Sequence, residues 1–251
     1  MKKIFAAVIY TALLAACSQP SHVEEHHPHW SYQGEEGPAY WGKVSPEFAT
    51  CATGHLQSPV NLPSNAKKVN SQLRYHYSSV NYEMENNGHT IQFTPEVKSA
   101  NLTLDGKQYT LQQFHVHTPS EHTLDNKHFP MELHFVHISE NGAITVIAVM
   151  IEVGKENPQL KSILAHNVKA SEKVVLSDMI NVQNLFPKDT THFSLKGSLT
   201  TPPCTEGVNW IVFKKPLQAS RAQLEAMEKM IGMKNNRPLQ NLGDRVVVTE
   251  K

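Results

Sequence analysis

The chain has no surplus of either charge: among 251 residues, Lys plus Arg and Asp plus Glu both number 23. A nucleic-acid binder needs a basic footprint, and this composition supplies none. The balance suits a small, neutral or singly charged substrate without selecting one. No apolar run is long enough for a permanent bilayer helix, which takes about 20 residues; the run Ile4 to Ala16 has 13. Cysteines number three, enough for one internal pair with one left over. Neither a repeat nor a second linker breaks Trp30 to Lys251, so this part reads as one domain, large enough for a real core. Convincing helices are few. Gln159–His166 is short, and Ser220–Met230 opens on a good N-cap, Ser220, and continues in helix formers.

Strand-like stretches are frequent instead: Leu73–Tyr77, Thr90–Phe93, Ala100–Leu104, Gln108–His117, Met131–Ile138, Ala143–Val153 and Gly207–Phe213. Turn signals such as Asn86-Asn87-Gly88, Asp105-Gly106 and Asn141-Gly142 punctuate them. From Ala143 to Ile151 every residue except Thr145 is apolar, the pattern of a strand buried on both faces at a sheet centre. The expected fold is therefore α+β and mainly β.

Histidine is plentiful, at 15, and position matters more than number. His115 and His117 stand two apart on one strand, so they share a face, roughly 6–7 Å apart along it. Two imidazoles side by side are costly to bury without a partner, and a divalent metal is the usual one. The neighbouring strand Met131–Ile138 offers a third ligand. His134 and His137, at i and i+3, face opposite ways, so only one of them can join. Three histidines with an open fourth position is the arrangement of hydrolytic and hydration zinc.

The chain resembles the α-class carbonic anhydrases. The residues that carry the resemblance are Gln57-Ser58-Pro59-Val60-Asn61, Asn87-Gly88-His89, Gln113-Phe114-His115-Val116-His117 and Ser120-Glu121-His122-Thr123. Glu132-Leu133-His134-Phe135-Val136-His137, Ser198-Leu199-Thr200-Thr201-Pro202-Pro203 and Trp210-Ile211-Val212-Phe213 complete it. They stand in the family order from about Trp30 to Arg237. The resemblance implies a single domain, 29–251, around a large twisted, mostly antiparallel central sheet with a few short helices and zinc at the bottom of a conical cleft. It implies reversible hydration of CO2 to bicarbonate and a proton, with His115, His117 and His134 as the Zn2+ ligands.

Other roles follow from matched positions. Gln113 and Glu132, each two residues before a ligand and on its face, are expected to hold the ligands' other ring nitrogens. The remaining ligand is expected to donate to a backbone carbonyl near Asn235. Thr200 and Glu121 form a gatekeeping pair: a carboxylate only accepts, so Glu121 makes the Thr200 hydroxyl donate to it. Val136, Val146, Leu199, Thr201, Val208 and Trp210 are expected around the CO2 pocket, although each apolar one is equally ordinary core. His89 matches the proton shuttle and Tyr32 the residue that orders its water path. His122 and His137 read as packing residues. Ser58-Pro59 and Pro202-Pro203 are cis candidates.

At the N-terminus, Lys2 and Lys3 precede the apolar run, which ends Leu14-Ala15-Ala16-Cys17. This is a signal segment, 1–17, of the lipoprotein type, with Cys17 as the lipidation candidate; the plainer alternative is ordinary cleavage nearby. Residues 18–28 form a flexible His/Glu-rich spacer. Its His22, His26 and His27, with His29, could gather metal or protons at the rim or serve only as a solvated tether. The expected location is the periplasm, with a tether to the outer membrane through Cys17. Export places Cys51 and Cys204 where they can pair, the pairing found in bacterial members of the family. Bacterial relatives are often dimers, so a homodimer stays open.

Two other classes compete. A non-catalytic binding module of the same family would lack a zinc histidine, and none is missing here. A cupin-like site from His115-x-His117-x-x-x-Glu121 would need glycines that positions 109 (Tyr) and 128 (His) do not supply. Ester hydrolysis is a side activity of the first reading.

Overall fold

The computed structural model describes residues 28–251. The expected signal segment 1–17, with Cys17, and the expected spacer as far as residue 27 lie outside the described residues. Among those described, thirteen strands join in one sheet. From one edge the main order is Lys173–Val175, Tyr82–Asn86, Ile91–Pro95, Lys107–His117, Met131–Ile138, Ile144–Val153, Glu206–Phe213, His192–Ser198, Val248–Glu250 and Lys67–Val69. Most neighbours are antiparallel. Ile144–Val153 is parallel to both Glu206–Phe213 and Leu217–Ala219, and Val248–Glu250 is parallel to Lys67–Val69. The expected α+β class with a mostly antiparallel sheet is what the chain forms.

Ile144–Val153 lies mid-sheet and is buried from Thr145 to Ile151, as its unbroken apolar run requires. Tyr82–Asn86 and Ile91–Pro95 alternate buried and half-buried positions, the signature of strands with one covered face. Tyr82–Asn86 and His192–Ser198 were not foreseen. The first carries Glu and Asn, the second Lys, Gly and Ser, all weak strand formers, and cross-strand packing overrides that preference.

Side-chain parity divides the core. Ile147, Val149 and Ile151 join one apolar cluster with Phe93, Phe114, Phe135, Ile211 and Phe213. Val146, Ala148 and Met150 join another with Val60, Phe193, Val208, Trp210 and Val212 on the opposite face. Helix Arg221–Ile231 closes the first cluster with Leu224, Met227 and Ile231. Burying each such side chain contributes about 1.5–3 kcal/mol. Its start is fixed by a reciprocal pair, Ser220 Oγ accepting from Gln223 N and Gln223 Oε1 accepting from Ser220 N. Its end is Gly232 at φ 81°, a left-handed cap that glycine adopts without strain. Helix Pro158–Leu164 stops two residues short of the expected His166.

Beyond strand His192–Ser198 the chain makes a tight loop. Leu199 N donates to Thr205 O and Cys204 N to Thr201 O. Cys204 forms a disulfide with Cys51 across 153 residues. The Ser58-Pro59 and Pro202-Pro203 bonds are cis as expected, and Thr118-Pro119 is cis as well. Gly197, at the loop's base, packs against the Trp210 ring: a Cβ there would sit 2.8 Å from Cδ1, closer than any side chain tolerates.

Candidate metal centre and active site

Strand register builds the centre. His115 on Lys107–His117 lies directly opposite His134 on Met131–Ile138, and His117 opposite Glu132. One ring nitrogen from each of His115, His117 and His134 lies within 4.8 Å of one from each of the others. His137 faces the other way, buried, its Nε2 2.7 Å from the Tyr77 hydroxyl.

The remaining ring nitrogens are held. His115 Nδ1 is 2.7 Å from Gln113 Oε1, His117 Nδ1 is 2.6 Å from the Asn235 main-chain oxygen, and His134 Nε2 is 2.9 Å from Glu132 Oε1. Each partner is an acceptor, so each of these nitrogens carries the proton. Nε2 of His115, Nε2 of His117 and Nδ1 of His134 are thereby left as lone-pair donors. Burial, then the neighbouring imidazoles, pushes the His115 pKa well below its ordinary value. Burial likewise lowers that of His117, although the Glu121 charge opposes it. Both rings are therefore neutral at pH 7, the state a metal needs.

Glu132 is completely buried. Its Oε2 accepts from the main-chain N–H groups of Glu121 and His122, and its Oε1 from His122 Nδ1 and His134 Nε2. Burial alone would raise its pKa, but the two imidazoles and the hydrogen bonds they make hold it well below the carboxylate range. His122 thus braces the carboxylate that braces His134.

Glu121 departs from expectation. Its Oε1 accepts from Arg237 N at 2.8 Å, while its Oε2 has no hydrogen-bond partner. The Thr200 hydroxyl does not reach it, because Oε2 turns toward the ligand nitrogens, 3.5 Å from His117 Nε2 and 3.8 Å from His134 Nδ1. His117 Nε2 is also buried without a partner. Lone pairs facing a carboxylate in a dry interior repel one another, and a cation between them removes the conflict. All three candidate ligands offer an imidazole nitrogen, the donor that suits divalent zinc. The residues present fit the ion.

Above the histidines lies a cavity of about 210 Å³, lined by Gln113, His115, His134, Val136, Ile138, Ile144, Val146, Leu199, Thr200, Thr201 and Trp210. One cross-strand row supplies its floor: Gln113 pairs with Val136, Val136 with Val146, and Val146 with Trp210. Val208 is not in the wall. It pairs with Gly197, two steps along the strand from Trp210, and packs in the apolar cluster beside the cavity. Ile138 and Ile144 take its place; they belong to the same two strands as Val136 and Val146, two residues farther out.

A family model described as eukaryotic-type carbonic anhydrase matches residues 36–251. The chain belongs to this family. It is 42% identical over 237 residues to a carbonic anhydrase of Neisseria gonorrhoeae, covering 94% of each chain. To that of Klebsiella pneumoniae it is 43% identical over 239 residues, covering 94% of this chain and 96% of the other. Among solved structures, the α-carbonic anhydrase of Thermovibrio ammonificans in complex with the inhibitor sulfanilamide superposes with TM-score 0.85 at 42% identity, over 90% of this chain and 100% of that one.

The expected relay residues, His89 and Tyr32, both pack against Trp30. His89, on the turn between Tyr82–Asn86 and Ile91–Pro95, is half-buried and stacks on Trp30, ring centroids 3.9 Å apart and planes 9° apart. Burial, then the nearby His29, lowers its pKa. His29 itself is held by Glu36, at 2.8 Å. Tyr32 packs edge-on against Trp30 and Trp41. Burial, then the Glu121 charge, raises its phenol pKa well above the ordinary value, so it stays a neutral hydroxyl.

Sequence reasoning missed Arg237 and the side chain of Asn235. The Arg237 guanidinium is buried among Gln57 Oε1, Ser58 O and Cys51 O. It therefore ties the disulfide region to the residue whose N–H holds Glu121. An arginine within a Pro- and Asn-rich coil gives no such signal.

Proposed function

We propose that this chain catalyses the reversible hydration of CO2 to bicarbonate and a proton, with Zn2+ held by His115, His117 and His134. The observation that carries the reading is the three-histidine cluster, with every other ring nitrogen committed to an acceptor, in a chain of the carbonic anhydrase family. Zinc in such a site lowers the pKa of a water to about 7 and so makes a nucleophile available at neutral pH.

The protein's own residues do the rest. Gln113, Glu132 and the Asn235 carbonyl keep the ligand rings in one tautomer and orientation. Val136, Val146, Leu199 and Trp210 give apolar CO2 a dry wall beside the histidines. Thr200, with a hydroxyl that both donates and accepts, orients the reacting oxygen, and Thr201 borders the same space. Glu121, an acceptor only, serves Thr200 once its Oε2 turns from the histidines. A ring nitrogen of His89 takes the product proton toward solvent. Its lowered pKa keeps that nitrogen unprotonated, ready to accept, at pH 7.

The same reading has the chain exported by a signal segment over 1–17 to the periplasm and tethered there through a lipidated Cys17. None of the helices among the described residues is long and apolar enough to cross a membrane. Mass spectrometry of the native membrane fraction tests the tether; an unmodified N-terminus beyond Cys17 rules it out. A homodimer is tested by molar mass in solution.

The test of the activity is ¹⁸O exchange between CO2 and water by the purified chain beside its His134→Ala variant. Rapid exchange by the parent and its near-loss in the variant is the expected result. Equal exchange by both would refute the assignment.

A further inference from the structure

We propose that the Asn235 side chain is a positioning residue that couples the ligand His117 to the proton-relay candidate His89; this rests on the reading above. Asn235 is completely buried and uses every hydrogen-bonding group it has. Its main-chain oxygen accepts from His117 Nδ1 at 2.6 Å, and its main-chain N–H donates to Thr118 O at 3.3 Å. Oδ1 accepts from Thr118 N at 2.7 Å. Nδ2 donates to Val116 O at 2.8 Å and to His89 O at 3.0 Å.

One planar carboxamide therefore spans two elements. Two of its contacts grip Val116 and Thr118, on either side of His117, and the third holds the main chain of His89 on a separate turn. The amide can sit only one way round, with its oxygen facing an N–H and its nitrogen facing two carbonyls. Around His89, the turn is closed by Asn87 Oδ1, which accepts from the N–H groups of His89 and Thr90. Thr90 Oγ1 then donates to Val116 O at 2.6 Å. The imidazole lies flat on Trp30. Backbone and ring of His89 are thus pinned from two sides, and the backbone pin is shared with a metal ligand. Any shift of His117 against Asn235 is transmitted to His89 through one rigid group.

An Asn235→Asp variant keeps the acceptor for Thr118 N but sets a carboxylate against two carbonyls, removing both donors. Asn235→Ser is made alongside, because it removes the same donors without adding charge. Both are compared with the parent, with and without His89→Ala, in the zinc-loaded protein. In dilute buffer, kcat of either variant should fall by roughly tenfold, less than the 10²–10⁴ that a positioned proton-transfer group supplies in full, because His89 is displaced and not removed. The fall in kcat/KM should be smaller, added imidazole should restore kcat, and the His89→Ala background should show no further loss of kcat. NMR should show the His89 ring protons, shifted upfield by Trp30 in the parent, moving downfield in both variants.

Equal losses in kcat and kcat/KM that imidazole does not relieve, additive over His89→Ala, would overturn the coupling. The NMR arm needs no turnover, so it decides even for a parent that hydrates no CO2; an unmoved His89 ring overturns the proposal by itself. Should neither variant fold, zinc titration of the metal-free parent decides. The Asn235 amide protons and the His89 ring should shift in step with His117, and a His89 ring indifferent to zinc overturns the coupling.

Discussion

Oε2 of Glu121 lies 3.5 Å from Nε2 of His117, both buried and neither with a hydrogen-bond partner. Since His117 Nδ1 donates to Asn235 O, Nε2 presents a lone pair to a carboxylate, an arrangement that only a cation or a proton relieves. Zinc should therefore stabilise the fold strongly. By mass action, free zinc at about 1,000 times its Kd adds about 4 kcal/mol. Differential scanning calorimetry of metal-free protein should show a large rise in Tm on adding zinc, and His117→Ala should abolish most of it. A variant stabilised as much as the parent would remove this site from the account.

The cavity makes a second prediction. Val146 sits between Val136 and Trp210 in the row that floors it. Val146→Tyr would fill much of the 210 Å³ and push substrate from the metal. A displacement of about 1 Å costs roughly 10²-fold in rate. CO2 hydration should drop by at least that factor while zinc content, read by atomic emission, stays at one per chain. Unchanged hydration would place the substrate elsewhere.

How much of this was legible in the sequence depends on the range of each interaction. The histidine cluster was readable because strand parity is local: i and i+2 share a face, so His115 pairs with His117, and only one of His134 and His137 can join them. The resemblance chose His134, and it singled out Gln113 and Glu132, which parity places on the same face. Ile144–Val153 was readable because burial on both faces leaves an unbroken apolar run. The grip of Asn235 on His89 and His117, and of Arg237 on Cys51 and Gln57, joins residues 118 to 186 positions apart. Nothing local marks such contacts. Strand His192–Ser198, rich in residues that disfavour strands, was hidden because its partners stabilise it. The Thr200–Glu121 pair was expected by resemblance, yet Glu121 Oε2 faces the nitrogens of His117 and His134, an orientation that nothing local in the sequence marks.

A pH effect should come from His137, away from the metal. Burial depresses its pKa from 6.5 to about 4, and its Nδ1 has no hydrogen-bond partner. Above pH 6.5 the ring is neutral both folded and unfolded and contributes nothing to pH dependence. As pH falls from 6.5 to about 4, the unfolded chain takes up a proton that the folded one refuses, so stability falls. The full loss is about 3 kcal/mol. Urea unfolding at pH 7 and pH 4 should show His137→Gln losing less stability than the parent by about that amount. Identical losses would assign the acid sensitivity to other groups.

The Cys51–Cys204 bridge closes a loop of 153 residues, for which chain entropy gives about 5 kcal/mol as an upper figure. Cys204 N also bonds Thr201 O, inside the loop that carries Thr200. A Cys51→Ser/Cys204→Ser protein should therefore melt well below the parent and hydrate CO2 more slowly even where folded. Melting at the parent temperature would show that the bridge constrains little.

The central claim is that these three histidines run CO2 hydration through zinc, and stopped-flow kinetics test it most directly. Hydration by the purified chain is measured as isolated, after chelation, and after zinc is returned, with metal content followed at each stage. The account predicts fast hydration at one zinc per chain, its loss with the metal and its recovery on return. A folded, zinc-loaded chain with no hydration above the buffer rate would contradict it and leave a binding protein with a retained metal site.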